Sequence, residues 1–289
     1  MLDLGSLEVI IVFLFSLIIG RVFSIKLPGF VFQGIVLVLV WSISAWAAAS
    51  GIEALKVSLY HTVIFLVLII LFVFGIGSFY TERSRRISAH IEARPNYPII
   101  IAIASGWLTG IYANWLQAYL SQVIWPLVLA VIFVTGLAMH TTINLEAIRN
   151  GGDVLLKALS VTLVSAFLAG IVASIFLRVP LRYSLSILFG LGWYSFAGPF
   201  VAQFFGPSAG LTAFLVNILR EQATFILTPL LSRFKVATIS LGGATTMDNT
   251  LSVFIYTYGE EAAVPSIMHG FVLTFIVPLL ESIVVMLPI

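Results

Sequence analysis

SLGGATTMDNTLS, from Ser240 to Ser252, places two glycines, three threonines, one aspartate and one asparagine within the nine residues Gly242 to Thr250. Long apolar segments lie on either side, and no Lys, Arg or Glu occurs between Val236 and Gly259. Gly242 and Gly243 weaken a helix. Thr245, Thr246, Asp248 and Asn249 follow with side-chain donors and acceptors. A soluble polar loop is the plainer alternative, but the missing basic and glutamate residues argue against it. Opened backbone at membrane depth survives only where it is buried in protein or lines a wet cavity. An ionisable residue inside such a segment is a functional-site hypothesis. The stretch therefore predicts a broken polar element inside a membrane bundle.

Composition supports a membrane setting for the rest of the chain. Of 289 residues, 61% are hydrophobic and only 9% charged, with mean hydropathy +1.14; soluble domains carry about 25% charged residues. The fold expected is an all-α polytopic membrane protein. Cysteine is absent, which excludes disulfides, thiol catalysis and thiolate metal sites. The four histidines stand far apart without HExxH spacing, so no metal site and no cofactor is expected. The lipid bilayer is the expected surrounding, and nothing points to nucleic acid. No basic region precedes the first apolar run, which therefore reads as a retained span and not a cleaved signal.

A span needs about 20 apolar residues. Candidates are Leu7–Phe23, Val31–Ala49, Thr62–Phe79, Ile99–Leu116, Ile124–Met139 and Leu155–Leu177, followed by Leu211–Leu231 and Val264–Leu287. Two odd segments, Tyr183–Phe205 and Val236–Tyr258, alternate with the last two. If both dip in and return, the chain makes eight crossings with two re-entrant elements of opposite orientation; the alternative is ten crossings with broken spanning helices. Arg21 and Lys26, then Arg83, Arg85, Arg86 and Arg94, then Arg149 and Lys157 fall in alternate connections. The excess of basic residues makes those connections cytoplasmic and the N-terminus external; Arg178 and Arg182 run against the pattern. Short connections make residues 1–289 one transport domain, divisible into a three-span unit 1–95, a second 96–181, and a motif-bearing part 182–289. Glycines placed late in LIIGRVF (Leu17–Phe23) and LTGIYAN (Leu108–Asn114) hint at an internal repeat. A repeat of three-span units would be inverted in the membrane. Gly106 and Gly110 form a GxxxG suited to close helix packing.

Asn217, Arg220 and Glu221 share one apolar segment at spacings that put them on one helical face. Each charge costs about 2.5–3.5 kcal/mol to insert, so they are expected to face the bundle interior. They pair with each other, as a register-fixing ion pair, or with groups elsewhere. In the second broken element, Gly192, Trp193, Tyr194 and Ser195 precede Gly198-Pro199. Pro199 lacks a donor and disfavours helix before it, so Gly192 to Pro199 is expected to be non-helical with free backbone groups. Trp193 and Tyr194 are either interface aromatics or cation–π partners. Glu281 reads as a glutamate snorkelling to the interface near the chain end, and His269 as a packing histidine. His140, Thr141, Thr142 and Asn144 read as a helix cap.

GWYSFAGPF (Gly192–Phe200), NILREQ (Asn217–Gln222), GGATTMDNTL (Gly242–Leu251) and VPSIMHGFVLTFIVPLL (Val264–Leu280) occur in this order. In this order and spacing they resemble the lysine exporters of the LysO type, most closely from about Leu188 onward. VIFVTGLAM (Val131–Met139) resembles the family's glycine-bearing span. The resemblance implies an inner-membrane secondary transporter, with no enzymatic activity, that exports L-lysine and its analogue thialysine by exchange for protons. It carries Asp248 over as a polar membrane residue. An acidic residue that some relatives place after the second span falls here in WAAASG (Trp46–Gly51), where there is none; Glu53 is the nearest. On this reading Asp248 and Glu221 bind ammonium groups and protons, and Trp193 or Tyr194 covers an ammonium. Helix termini and free amides near Gly242, Gly243 or Gly192 hold the carboxylate. Asn217, Arg220, Ser195, Thr245, Thr246 and Asn249 complete the expected site. The alternatives are a Na⁺ or other cation/proton antiporter and, remotely, an intramembrane serine hydrolase with Ser195 as nucleophile and His269 as base.

Overall fold

The computed structural model of the chain describes residues 4–25, 28–81, 97–139 and 152–288. Arg83, Arg85, Arg86, Arg94, Lys26, Arg149 and the proposed cap His140, Thr141, Thr142 and Asn144 lie outside them. Every regular element among the described residues is a helix. Eight are long: α1 (Leu4–Phe23), α2 (Gly29–Ala49), α3 (Ile52–Gly77), α4 (Tyr97–Tyr112), α5 (Gln117–Met139), α6 (Gly152–Leu177), α9 (Pro207–Leu230) and α12 (Ala263–Met286). Four are short: α7 (Leu181–Leu188), α8 (Tyr194–Phe205), α10 (Lys235–Gly242) and α11 (Leu251–Tyr258). Among the described residues, the stretches built on α2, α3, α5, α6 and α12 are long and apolar enough to cross a membrane. The chain is an all-α polytopic membrane protein, as expected.

The short helices form two hairpins, and contacts along α3 show where each begins and ends. Near the start of α3, the Ser58 hydroxyl donates to the carbonyl of Ser208, at the start of α9 (2.9 Å). His61 bonds Tyr183 at the start of α7 (3.0 Å), and the Tyr183 ring meets Phe205 at the end of α8 (5.7 Å). Hairpin 1, α7 with α8, thus leaves and regains one end of the bundle, end A. At the far end of α3, Phe74 packs on Phe234 (6.2 Å) and Gly77 abuts Ala237. There the hydroxyls of Thr238 and Tyr258 share a hydrogen bond (2.7 Å), and Lys235 pairs with Glu261 (3.1 Å). Hairpin 2, α10 with α11, therefore leaves and regains the opposite end, end B. Both polar segments take the re-entrant form and enter from opposite ends, with α9 running between them.

The hairpin tips cross. The backbone is unwound over 189–193 in hairpin 1, and hairpin 2 passes through a 3₁₀ turn, Gly243–Met247, before α11. Leu191, Gly192 and Gly243 have positive φ (45°, 95° and 62°). The Ala244 amide donates to the Leu191 carbonyl (2.7 Å), joining the tips directly. A Cβ on Gly243 would lie 2.0 Å from that carbonyl oxygen. Only glycine fits, for both backbone angle and space. The break in hairpin 1 is shorter than the sequence suggests. Helix resumes at Tyr194 and carries Gly198 and Pro199 within α8. Gly198 instead allows α8 to press on α9: its Cβ would sit 2.8 Å from that of Phe214. Gly106 and Gly110 do the same for α4 against α2, where added Cβ atoms would meet the carbonyl oxygens of Trp41 and Ala45 at 2.6 and 2.2 Å.

Gly243→Ala is expected to cost about 2–5 kcal/mol, from strained φ and overpacking together, and to lower the melting temperature of the detergent-solubilised protein sharply. Gly75→Ala, in a helix with open space around the new methyl, serves as the control and should be neutral or slightly stabilising. Equal melting temperatures for the two variants would refute the tight crossing.

Candidate functional site

Helix α9 supplies the groups that satisfy both breaks. Asn217 accepts from the Gly192 amide at Oδ1 (2.7 Å) and donates from Nδ2 to the carbonyl of Ile187 (3.1 Å). It thereby caps the end of α7 and holds the loop that follows. One turn on, Arg220 is 1% exposed. Its Nε donates to the Leu241 carbonyl (2.6 Å) and Nη2 to that of Ser240 (2.7 Å). A cation on the last carbonyls of α10 compensates the negative end of that helix. The three-residue spacing of Asn217 and Arg220 thus places one cap at each hairpin. Arg220 does not pair with Glu221, its neighbour in sequence.

Glu221 turns instead to Asn249, in the turn of hairpin 2 that precedes α11. Asn249 Nδ2 donates to its Oε2 (3.1 Å), while the Asn249 backbone amide donates to Asp248 Oδ1 (2.6 Å). One asparagine therefore bridges two carboxyls. Tyr194, the first residue of α8, brings its hydroxyl beside Asn249 and close to both carboxyls. No ion pair among the described residues involves Glu221 or Asp248; the pairs found are Lys56–Glu53, Lys157–Asp153 and Lys235–Glu261.

These groups border a cavity of about 480 Å³. Of the residues expected at the site, Trp193, Tyr194, Ser195, Thr245, Asp248 and Asn249 line it. Asp248 and Asn249 are exposed residues, and the cavity is the space they border. Glu221 stands behind Asn249 and is 4% exposed. Asn217, Arg220, Gly242, Gly243 and Thr246 do not line the cavity; they hold the crossing together. Thr246 donates to the Gly243 carbonyl (2.9 Å). Pro199 cannot donate to the Ser195 carbonyl four residues earlier, so that oxygen lacks its helical donor. From Trp193 in the cavity lining a row of ring contacts runs toward end A: Trp193–Phe196 (5.1 Å), Phe196–Phe200 (5.1 Å) and Phe200–Phe204 (4.8 Å), all tilted, then Phe204 edge-on to Trp125 (6.1 Å). Toward end B its lining includes Pro28, Gly29 and Gln33 at the start of α2 and Met139 at the end of α5.

His269 is fully buried. Its Nε2 bonds the Thr162 hydroxyl (2.9 Å) and its Nδ1 the Thr246 hydroxyl (3.1 Å), so it ties α6 and hairpin 2 to α12 as a packing histidine. Ser195 accepts from Trp193 Nε1 (3.1 Å). The two residues of the hydrolase alternative thus have other partners. Glu281 departs from expectation: it is fully buried in α12 and does not reach toward an interface. Its position near the chain end is misleading, because α12 is packed against α1, α6 and α7.

Residues 100–285 match the family model described as "Lysine exporter LysO". The chain is 36% identical over 121 residues to a protein of Escherichia coli (strain K12) named "Lysine exporter LysO". That match covers 42% of this chain and 40% of that protein's length. It is 28% identical over 183 residues to a "Putative lysine exporter" of Haemophilus influenzae, covering 63% of this chain and 92% of that protein. No solved structure matches.

Arg220→Lys keeps the charge but cannot reach two carbonyls with a rigid fork. It should cost about 1–3 kcal/mol for the lost bond, read as a lower melting temperature in detergent. Unchanged stability in Arg220→Met would show that Arg220 does not hold hairpin 2.

Proposed function

This chain belongs to the lysine exporter LysO family, and from that premise we propose that it exports L-lysine across the inner membrane in exchange for protons. The observation that carries the proposal is the pair of carboxyls, Glu221 and Asp248. They are joined through Asn249, Asp248 at the cavity and Glu221 behind it, with no basic partner among the described residues, while Arg220, next to Glu221 in sequence, is bound to helix carbonyls. An anionic site of this kind favours a cation. Lysine offers two ammonium groups, and the Ser195 carbonyl and Tyr194 hydroxyl add uncharged acceptors. Its carboxylate suits the start of α8 at Tyr194 and Ser195, where the helix dipole is positive. Trp193, in the cavity lining, supplies a ring that covers an ammonium on this reading. A carboxyl that holds either an ammonium or a proton couples the two flows: protonation releases the amine.

Charge distribution supports a direction. Among the described Lys and Arg residues, Arg21, Lys157, Arg233 and Lys235 stand at end B, and in sequence Lys26, Arg83, Arg85, Arg86, Arg94 and Arg149 fall between helices whose described termini are at that end. Lys56, Arg178 and Arg182 belong to end A. By the positive-inside rule end B is cytoplasmic, which places the N-terminus outside. The cavity then faces the cytoplasm and the row of rings runs toward the outer side, an arrangement suited to loading cytoplasmic lysine. Analogues with the same charged groups, such as thialysine, meet the same site.

In proteoliposomes with an imposed pH gradient, wild-type protein should move radiolabelled lysine. Asp248→Asn and Glu221→Gln should fall to the level of empty liposomes while remaining folded in the membrane. Asp248→Asn moving lysine at the normal rate with unchanged pH dependence would place the coupling elsewhere. Labelled sodium in the same liposomes tests the cation-antiport alternative.

A further inference from the structure

Glu281 is the titratable side chain that this mechanism leaves unused. It is fully buried in the half of α12 nearest end A, and it does not line the cavity. The Ser186 hydroxyl of α7 lies beside its carboxyl. Neither carboxyl oxygen forms a well-directed hydrogen bond, and Ser184, Ser186 and Ser282 are likewise buried without one. Among the described residues no charged group faces it from the elements packed around it; Arg178, between α6 and α7, is exposed. On α6, Lys157 and Asp153 pair with each other. On α7, Arg182 lies over the Phe205 ring and Tyr183 bonds His61. On α1, Glu8 accepts from Trp125 and Arg21 is exposed. His269 on α12 itself is held by two threonines. Among the described residues no cluster of three His, Asp or Glu side chains stands together to hold a metal ion.

An ionised carboxylate in such a place would lack both cation and donor, at a cost of several kcal/mol. A proton removes that cost. We propose that Glu281 is a second proton-binding carboxyl of the transport cycle, separate from the cavity acids and sealed by hairpin 1. This rests on the transport reading above. Because Ser186 belongs to hairpin 1 and Glu281 to α12, the proton leaves only when the two part and admit water. Loss of the proton is thereby tied to a movement of the hairpin whose tip carries Trp193, Tyr194 and Ser195.

The test uses the full-length protein in lipid. Glu281→Gln matches a protonated glutamate in shape and neutrality, so it should fold normally; a variant that cannot be recovered folded overturns the neutral carboxyl. The infrared spectrum of the wild type should hold a protonated-carboxyl carbonyl band that is lost in Glu281→Gln, and identical spectra would overturn the proposal. In proteoliposomes the variant should lose gradient-driven accumulation of lysine while retaining lysine counterflow. Normal accumulation with normal pH dependence overturns the assignment. Should the wild type move no lysine at all, the export reading fails, and the infrared band still decides the state of Glu281.

Discussion

Two stretches of unwound backbone lie inside this bundle, and each must find hydrogen-bond partners within the protein, because lipid offers none. That requirement accounts for most of the unusual sequence in the second half of the chain. Asn217 and Arg220 are polar residues in an otherwise membrane-length helix because α9 runs between the hairpins and has to cap both. The tips complete the arrangement by bonding to each other through Ala244 and Leu191. Glycine at 243 follows from the closeness of that contact. The glycines and the α9 polar residues are therefore parts of one solution to a backbone problem.

The same solution sets the electrostatics. Arg220 is held by two carbonyl oxygens, so its charge is turned toward the end of α10 and away from the acids. Had it paired with Glu221, the bundle would contain a closed ion pair and little reason to attract a ligand. Instead Arg220 is engaged by helix carbonyls, and the two acids are joined through Asn249. Arg220 is thereby left out of the cavity lining, which holds Asp248.

Much of this was legible in the sequence. Gly242-Gly243 before a Thr/Asp/Asn cluster marks a break in any apolar setting, and the spacing of Asn217, Arg220 and Glu221 puts all three on an inward face. The less legible features depend on what lies across the bundle. Pro199 lies within α8 and not at its break, where it withholds a single helical donor. Gly198 looks like part of a break, yet serves helix contact with Phe214. Adjacent Arg and Glu suggest a pair, but successive helical residues point about 100° apart, so each finds its partner on a different element. Glu281 sits near the chain end, where burial depends on the neighbours of α12 and not on sequence position.

Opposed hairpins also give the bundle two distinct faces at the level of the site. Hairpin 1 brings its tip from end A with a row of aromatic rings behind it; hairpin 2 brings Asp248 and Asn249 from end B beside the open cavity. A ligand between the tips would touch Trp193, Tyr194 and Ser195 on one hairpin and Thr245, Asp248 and Asn249 on the other. Its binding energy therefore depends on the relative position of two elements anchored at opposite ends. A transporter needs this kind of dependence, since a ligand shifts a conformational equilibrium only by its differential affinity for the two states. The connection through Ala244 and Leu191 keeps the tips together at their backbone, while Asn249 and Tyr194 meet only through side chains. The tips are thus joined by one backbone bond, while the contacts that a ligand would meet are made by side chains.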